Sequence, residues 1–136
     1  MLKVMIAEDD LTMADMLADV LTKDGYEVCG IALTVEKAVE LAEHHKPDLA
    51  ILDLRLARGD VGTEIAARLS NRGSLGILYA TGNLGQMGGL TKANGVACIH
   101  KPYRPEDMVH ALKIVEQIVT TGKYAGPFPN GFEVLR

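Results

Sequence analysis

Short apolar runs alternate along the chain with stretches whose apolar residues recur at helical spacing. The runs lie at residues 4–7, 27–32, 48–54, 75–80 and 96–99, and their length and continuity are typical of buried strands in a parallel sheet. A helical pattern follows each of them. This alternation predicts an α/β domain with a doubly wound, five-stranded parallel sheet and helices on both faces.

Residue types at the ends of the periodic stretches predict where helices begin. Thr12 and Thr34 are the expected N-caps of the first two helices, and Pro105 suits the first position of the last helix. A third helix is predicted over residues 63–71. The glycine-rich residues 82–90 predict a short, irregular or partly mobile fourth helix, because glycine costs about 1 kcal/mol against alanine in a helix.

The end of the chain has a different character. Residues 1–121 carry the alternation and form the predicted domain, and 136 residues in all suffice for one domain with a core. Residues 122–136 are rich in proline and glycine and are expected to be a tail, with no output domain. Phe128, Phe132 and Leu135 would either fold back on the domain or extend a contact surface.

Composition narrows the classes of partner. The formal net charge of −4 lacks the basic footprint of a nucleic-acid-binding protein. No apolar run reaches membrane-spanning length, and the chain meets acidic residues too early for a signal peptide, so a cytoplasmic protein without a membrane partner is expected. Cys29 and Cys98 show no C-x-x-C spacing and suggest no disulfide framework.

Candidate chemistry lies directly after the predicted strands. Glu8 and Asp9 follow the first strand, Asp53 ends the third, Thr81 follows the fourth and Lys101 the fifth. The carboxyl ends of the strands form one edge of such a sheet, so these side chains are expected to converge. Carboxylates suit Mg²⁺, and a carboxylate can also act as a nucleophile that forms an aspartyl phosphate. The pattern favours phosphoryl transfer by positioning and electrostatics.

Each residue also has a plainer explanation when it is taken alone. Asp53 could simply cap the loop that follows it, and the acidic run beginning at Glu8 could be a solvated helix start. Lys101 could be a surface lysine before a turn, and Thr81 could be a helix cap. The four signals together, in order at strand ends, favour the shared site.

Four segments resemble the receiver domain of two-component response regulators. They are Ile6-Ala7-Glu8-Asp9-Asp10, Leu52-Asp53-Leu54, Ala80-Thr81-Gly82 and His100-Lys101-Pro102. The resemblance covers residues 2–121 and implies a flavodoxin-like or CheY-like sheet with strand order 2-1-3-4-5.

The resemblance also implies a role for each site residue. Asp53 corresponds to the phospho-acceptor. Glu8, Asp9 and Asp53 would bind Mg²⁺ together with the backbone carbonyl of Arg55. Thr81 and Lys101 would contact the phosphoryl group. A cis peptide bond is expected before Pro102.

Two features depart from the common family pattern. The fifth strand carries Cys98 where an aromatic switch residue is frequent, whereas the fourth strand has an aromatic in Tyr79-Ala80-Thr81-Gly82. This motif is similar to that of single-domain receivers with Phe-Ala-Thr-Gly on that strand. We therefore expect phosphorylation to order residues 82–90. Arg55, Asn83 and Tyr79 are expected to tune the site.

The resemblance implies a stand-alone response regulator, not a turnover enzyme. It would accept a phosphoryl group on Asp53 from a histidine kinase or a histidine phosphotransfer protein, with Mg²⁺ present. It would then bind a downstream target, relay the phosphate or drain it. The predicted fourth helix, fifth strand and last helix form the expected contact face for a target or a second copy. The alternative is a degenerate receiver that binds partners without phosphorylation.

Overall fold

A computed structural model describes residues 2–70, 75–82 and 89–136. The strands are β1 (Lys3–Ala7), β2 (Glu27–Ala32), β3 (Leu49–Asp53), β4 (Gly76–Thr81), β5 (Ala97–His100) and β6 (Phe132–Val134). The helices are α1 (Leu11–Lys23), α2 (Val35–His45), α3 (Gly62–Arg68) and α4 (Pro105–Thr121). The described strands form one sheet in the order β2-β1-β3-β4-β5-β6.

The predicted doubly wound α/β architecture is confirmed. The first five strands are parallel and follow the order 2-1-3-4-5. Side chains alternate across each strand, so the sheet has an apolar cluster on each face. One cluster packs beneath α2 and α3, and the other packs beneath α1 and α4. All five residues of β3 are buried, which places the end of this strand at the centre of the domain.

Of the three residues predicted to mark helix starts, two are confirmed. The Thr34 hydroxyl accepts a hydrogen bond from the Lys37 amide, and α4 begins at Pro105, both as predicted. The prediction of Thr12 as the N-cap of α1 is wrong. The carboxylate of Asp10 accepts from the amide of Met13 and starts the helix earlier. Asp caps at least as well as Thr, so the earlier residue takes this position.

The sheet has a sixth strand that the sequence analysis did not predict. Residues 132–134 pair antiparallel with β5, with Ala97 opposite Val134 and Ile99 opposite Phe132. The five-strand prediction was therefore one strand short, and the proline- and glycine-rich segment contributes an edge strand. The outer edge of β5, which belongs to the expected contact face, is covered by this strand.

Some predictions fall outside the described residues. The predicted helix within residues 82–90 and the tuning role of Asn83 involve residues 83–88, and the end of the predicted third helix at Asn71 lies in residues 71–74. Among the described residues, α3 ends at Arg68. None of the described helices is both long and apolar enough to cross a bilayer.

Candidate functional site

Three carboxylates converge at the carboxyl edge of the sheet. Glu8 and Asp9 follow β1, and Asp53 is the last residue of the neighbouring β3. One carboxylate oxygen from each of the three lies within 4.8 Å of those of the other two. Glu8 and Asp53 are buried, whereas Asp9 is exposed. The predicted acidic cluster therefore forms, with one member open to solvent.

Lys101 bridges the two buried carboxylates. Its Nζ donates to Glu8 Oε1 at 2.8 Å and to Asp53 Oδ2 at 3.0 Å. The backbone holds the lysine in place, because its amide donates to the carbonyl of Thr81 at 2.7 Å. The side chain is 20% exposed, so the ion pairs are shielded from most of the solvent. Lys101 therefore lies within the cluster of charged side chains and is not a surface lysine before a turn.

Burial and neighbouring charges shift the acid–base equilibria of the site. Burial raises the pKa of Glu8 to about 7, with the Asp53 carboxylate adding to the rise and the bond from Lys101 opposing it. Burial lowers the pKa of Lys101, but its hydrogen bonds to Glu8 and Asp53 outweigh that effect and raise the pKa overall. Two carboxylates facing one ammonium group leave a surplus of negative charge, which favours a further cation.

The loop after β3 fixes the orientation of Asp53. Its Oδ1 accepts from the amide of Arg55 at 3.1 Å, so Asp53 caps the following loop as well as facing Lys101. A Cβ atom on Gly62 would lie 2.3 Å from the Asp53 backbone oxygen. Only glycine allows α3 to begin so close to this carbonyl. This positioning role of Gly62 was not predicted from the sequence.

The three acidic residues after β1, Glu8 to Asp10, have two different roles. Asp10 caps α1, and its own amide donates to Glu8 Oε2 at 3.2 Å. Glu8 and Asp9 are left to face Asp53. Asp10 therefore serves the helix start, whereas the two residues before it lie in the carboxylate cluster with Asp53.

The remaining predicted residues lie at different depths around the cluster. Thr81 is buried at the end of β4, and the Lys101–Pro102 peptide bond is cis, as expected. Tyr79 is buried two residues earlier, and its hydroxyl donates to the carbonyl of Asn94 at 2.7 Å. Arg55 is exposed.

Tyr103 is a neighbour of the site that the sequence analysis did not name. Burial raises the pKa of Tyr103 to about 12. The charge of Lys101 opposes this rise, whereas the charges of Glu8 and Asp53 add to it. Its ring packs against the apolar cluster beneath α1 and α4. An aromatic residue two positions after a strand-end lysine was the available signal, because such a residue lies on the same edge of the sheet.

The donor set fits Mg²⁺. Mg²⁺ prefers oxygen ligands and binds through one or two carboxylates, with waters and phosphate oxygens completing its shell. Glu8, Asp9 and Asp53 supply carboxylate oxygens at close range, and the described cluster contains no sulfur or imidazole ligand. The exposed position of Asp9 leaves room for water molecules. We conclude that these residues are suited to a hard divalent cation.

Comparison with known families agrees with this geometry. The family model described as response regulator receiver domain matches residues 4–113. That range contains all four segments on which the resemblance was based and extends into α4.

Individual relatives show the same similarity. The chain is 33% identical over 114 residues to the transcriptional regulatory protein PdtaR of Mycobacterium tuberculosis; the match covers 82% of this chain and 55% of PdtaR. The chain thus spans about half the length of that relative. It is 30% identical to the chemotaxis protein CheY of Thermotoga maritima over 85% of this chain and 98% of CheY.

Solved structures confirm the fold. A CheY-like response regulator receiver domain protein from Methanospirillum hungatei superposes with a TM-score of 0.80 at 25% identity, covering 90% of this chain and 99% of that chain. A response regulator structure from Chloroflexus aurantiacus gives a TM-score of 0.74 at 30% identity, covering 84% and 96% of the two chains.

Proposed function

This chain belongs to the response regulator receiver family, and we propose that it accepts a phosphoryl group on Asp53 in a Mg²⁺-dependent reaction. The donor would be a histidine kinase or a histidine phosphotransfer protein. The observation that carries the proposal is the convergence of Glu8, Asp9 and Asp53 within 4.8 Å, together with Lys101 Nζ at 3.0 Å from Asp53.

The transfer forms one bond and breaks one bond. A carboxylate oxygen of Asp53 attacks phosphorus as the bond between phosphorus and the donor nitrogen breaks, and the imidazole leaves. The reaction depends on positioning and charge stabilisation. The loop hydrogen bond from Arg55 to Oδ1 and the close approach of Gly62 hold the Asp53 carboxylate in one orientation. Lys101 would bind a phosphoryl oxygen, and Thr81 lies beside it at the end of the neighbouring strand β4.

Glu8, Asp9 and Asp53, with the backbone carbonyl of Arg55, would hold the magnesium ion. The ion supplies positive charge that offsets the repulsion between the acidic cluster and an incoming phosphoryl group. Among the described residues, Lys101 faces two carboxylates, at 2.8 Å and 3.0 Å. The described part of the site therefore provides one cation, whereas the phosphorylated site would need more.

Intact mass measurement with a small phosphodonor tests the proposal directly. The protein is incubated with Mg²⁺ and acetyl phosphate beside an Asp53→Asn variant. We expect a gain of one phosphoryl group in the parent, none in the variant, and none in the parent with chelator. A gain of equal size in the variant would show that Asp53 is not the acceptor.

The rival function is a receiver that binds its partners without phosphorylation. The donor set argues against it, because that role does not require three clustered carboxylates, two of them buried, with a lysine between the buried pair. Mg²⁺ titration separates the two functions, since the rival predicts no saturable binding. No phosphoryl gain, either from acetyl phosphate or from a phosphorylated histidine donor, would favour the rival.

Membership of the family supports a proposal for the wider role. We propose that the protein works in the cytoplasm, where it receives its phosphoryl group from a kinase, and that it acts as a signalling component without turnover of a separate substrate. The phosphorylated form would bind a downstream protein, relay the phosphate or drain it. The resemblance to PdtaR and CheY supports a regulatory role and leaves the pathway to experiment.

A further inference from the structure

The C-terminal segment (residues 131–136) pairs with β5 immediately beside the phospho-acceptor site. The amide of His100 donates to the carbonyl of Gly131 at 3.0 Å, and the next residue, Lys101, bonds to Asp53. At the other end of the segment, the amide of Leu135 donates to the carbonyl of Val96 at 2.9 Å. The segment thus covers the whole outer edge of β5.

The fit at Gly131 is tight. Its φ of +75° suits glycine, and a Cβ atom there would lie 3.1 Å from the Cβ of His100 and 3.3 Å from its amide nitrogen. Close-packed contacts of this kind change between discrete arrangements and do not deform smoothly. A shift of the His100 backbone would therefore disturb this end of the segment.

The C-terminal end of the segment is connected to β4, the strand that ends at Thr81, through the turn at residues 92–94. The carbonyl of Arg136 accepts from the amide of Lys92 at 3.2 Å. The same turn supplies the Asn94 carbonyl that accepts from the Tyr79 hydroxyl. Leu135 is buried in the apolar cluster that also contains Tyr79 and Cys98. Both ends of the segment are therefore connected to strands that carry phosphate-binding residues.

From these contacts we infer that the C-terminal segment is a conformational switch element whose pairing with β5 is weakened by phosphorylation of Asp53. The inference rests on the proposed function. A phosphoryl group on Asp53 places new anionic oxygens beyond the carboxylate, and Lys101 must leave its present bonds to Glu8 and Asp53 to reach them. Because His100 is fitted to Gly131, movement of Lys101 favours release of the segment and exposes the edge of β5.

The coupling must act in both directions. If phosphorylation weakens the pairing, then weakening the pairing must favour the phosphorylated state by the same factor. This reciprocity holds for equilibrium binding, so beryllofluoride, a non-covalent mimic of the phosphoryl group, is the suitable probe.

The hydrogen-bond alternation of β6 supplies a matched pair of variants. The bonds at Gly131 and Leu135 show that odd-numbered residues direct their backbone groups toward β5. Glu133→Pro therefore removes an amide that faces β5, whereas Val134→Pro removes one that faces outward. An edge strand tolerates proline at an outward-facing position. Glu133 is exposed, so its replacement removes little packing.

A disulfide between β5 and β6 would prevent release of the C-terminal segment. It tests whether strengthening the pairing weakens binding of the phosphoryl mimic. Ala97 and Val134 are a non-hydrogen-bonded antiparallel pair, whose usual Cα separation of about 4.5 Å suits a disulfide. The double variant Ala97→Cys/Val134→Cys, made in a background with both native cysteines replaced by alanine, can be studied oxidised and reduced. The reduced form is the control for the two substitutions.

The first measurement is hydrogen exchange over residues 131–136 with Mg²⁺ and acetyl phosphate. Exchange should accelerate in the parent and remain unchanged in Asp53→Asn. In the second measurement, Glu133→Pro should bind beryllofluoride about fivefold more tightly than Val134→Pro, at the lower end of measured allosteric couplings. The oxidised disulfide form should bind it more weakly than the reduced form.

The outcomes separate this inference from the proposed function. A parent that takes up no phosphoryl group from any donor overturns the proposed function, and this inference with it. A parent that is phosphorylated on Asp53 but shows unchanged exchange and equal beryllofluoride affinities in all forms overturns the inference alone. Slower exchange on phosphorylation would reverse the sign of the coupling and also overturn it.

Discussion

The acidic edge of the sheet and the C-terminal segment meet at His100 and Lys101, yet they are held together by different forces. At the acidic edge, two buried carboxylates share one ammonium group at 2.8 Å and 3.0 Å. In the C-terminal segment, backbone hydrogen bonds join β6 to β5, and Leu135 enters the core. The first region concentrates charge, whereas the second satisfies a strand edge and buries apolar surface.

The two regions should respond differently to substitution. Buried ion pairs contribute little net stability, because desolvation offsets their attraction, so changes to charge at the acidic edge should affect chemistry most. Apolar burial stabilises in proportion to the area removed from water, so changes in the C-terminal segment should affect unfolding most. Substitutions in the two regions should therefore separate effects on phosphoryl uptake from effects on the free energy of unfolding.

Gly62→Ala should be an exception to this separation, because it should lower both the stability of the domain and the reactivity of Asp53. The added Cβ would lie 2.3 Å from the Asp53 backbone oxygen, and we expect a loss of about 2–3 kcal/mol in the free energy of unfolding. Phosphoryl uptake should fall as Asp53 moves. Urea denaturation and intact mass measure the two effects.

Gly82→Ala is the matched control for that variant. Among the described residues, a Cβ atom there meets the Lys101 Cβ at an ordinary 4.0 Å and nothing closer, so both properties should stay near those of the parent. Equal behaviour of the two variants would contradict the positioning role of Gly62.

Lys101→Met should show the chemical side of this separation most clearly. The variant keeps the apolar stem and loses the ammonium group that faces Asp53. We expect the rate of phosphoryl uptake from acetyl phosphate to fall about 100-fold, the usual effect of removing one group that stabilises transition-state charge. Lys113→Met removes a lysine paired with Asp24 on the surface and should leave the rate unchanged.

Leu135→Ala should show the stability side. Leu135 is 8% exposed and belongs to the core cluster, so we expect a loss of about 2 kcal/mol in the free energy of unfolding. Phe128→Ala removes a larger side chain that is 49% exposed and should cost less than about 0.5 kcal/mol. Thermal or urea unfolding measures both variants. Equal losses of the free energy of unfolding in Leu135→Ala and Phe128→Ala would contradict the assignment of Leu135 to the core.

Asp9→Asn and Asp10→Asn should differ in their effect on Mg²⁺ binding. Asp9 belongs to the carboxylate cluster, whereas Asp10 caps α1. Mg²⁺ affinity should fall at least about tenfold in Asp9→Asn, because even substitutions around a ligand have that effect. It should stay unchanged in Asp10→Asn, since asparagine caps a helix as well as aspartate. Calorimetric titration with Mg²⁺ would measure both affinities.

Much of the acidic edge was predictable from the sequence, because each signal is local. An apolar run fixes a strand, and the residue after it must lie at the carboxyl edge of the sheet. Asp53 and Lys101 were named on this basis, and the structure brings them to 3.0 Å. Thr34 and Pro105 were identified by capping chemistry that acts within one helical turn.

Other features depended on contacts between distant parts of the chain. The N-cap of α1 at Asp10 was missed because Thr12 offered an equally regular pattern, and only the three-dimensional structure decides which side chain accepts the amide hydrogen bond. The role of Gly62 depends on the distance between α3 and the Asp53 carbonyl. A glycine in the sequence does not show which atom approaches it.

The alternation of strands and helices, the identity of the chemical groups and the edge at which they meet could all be inferred from the order of residues. Three features required the folded chain: residues 132–134 form a sixth strand beside β5, Lys101 bridges Glu8 and Asp53, and Asp10 caps α1 instead of joining the cluster. The physical reason is the range of the interactions. Hydrophobic periodicity and capping act over a few residues, whereas strand pairing, burial and charge compensation depend on which distant segments the folded chain brings together.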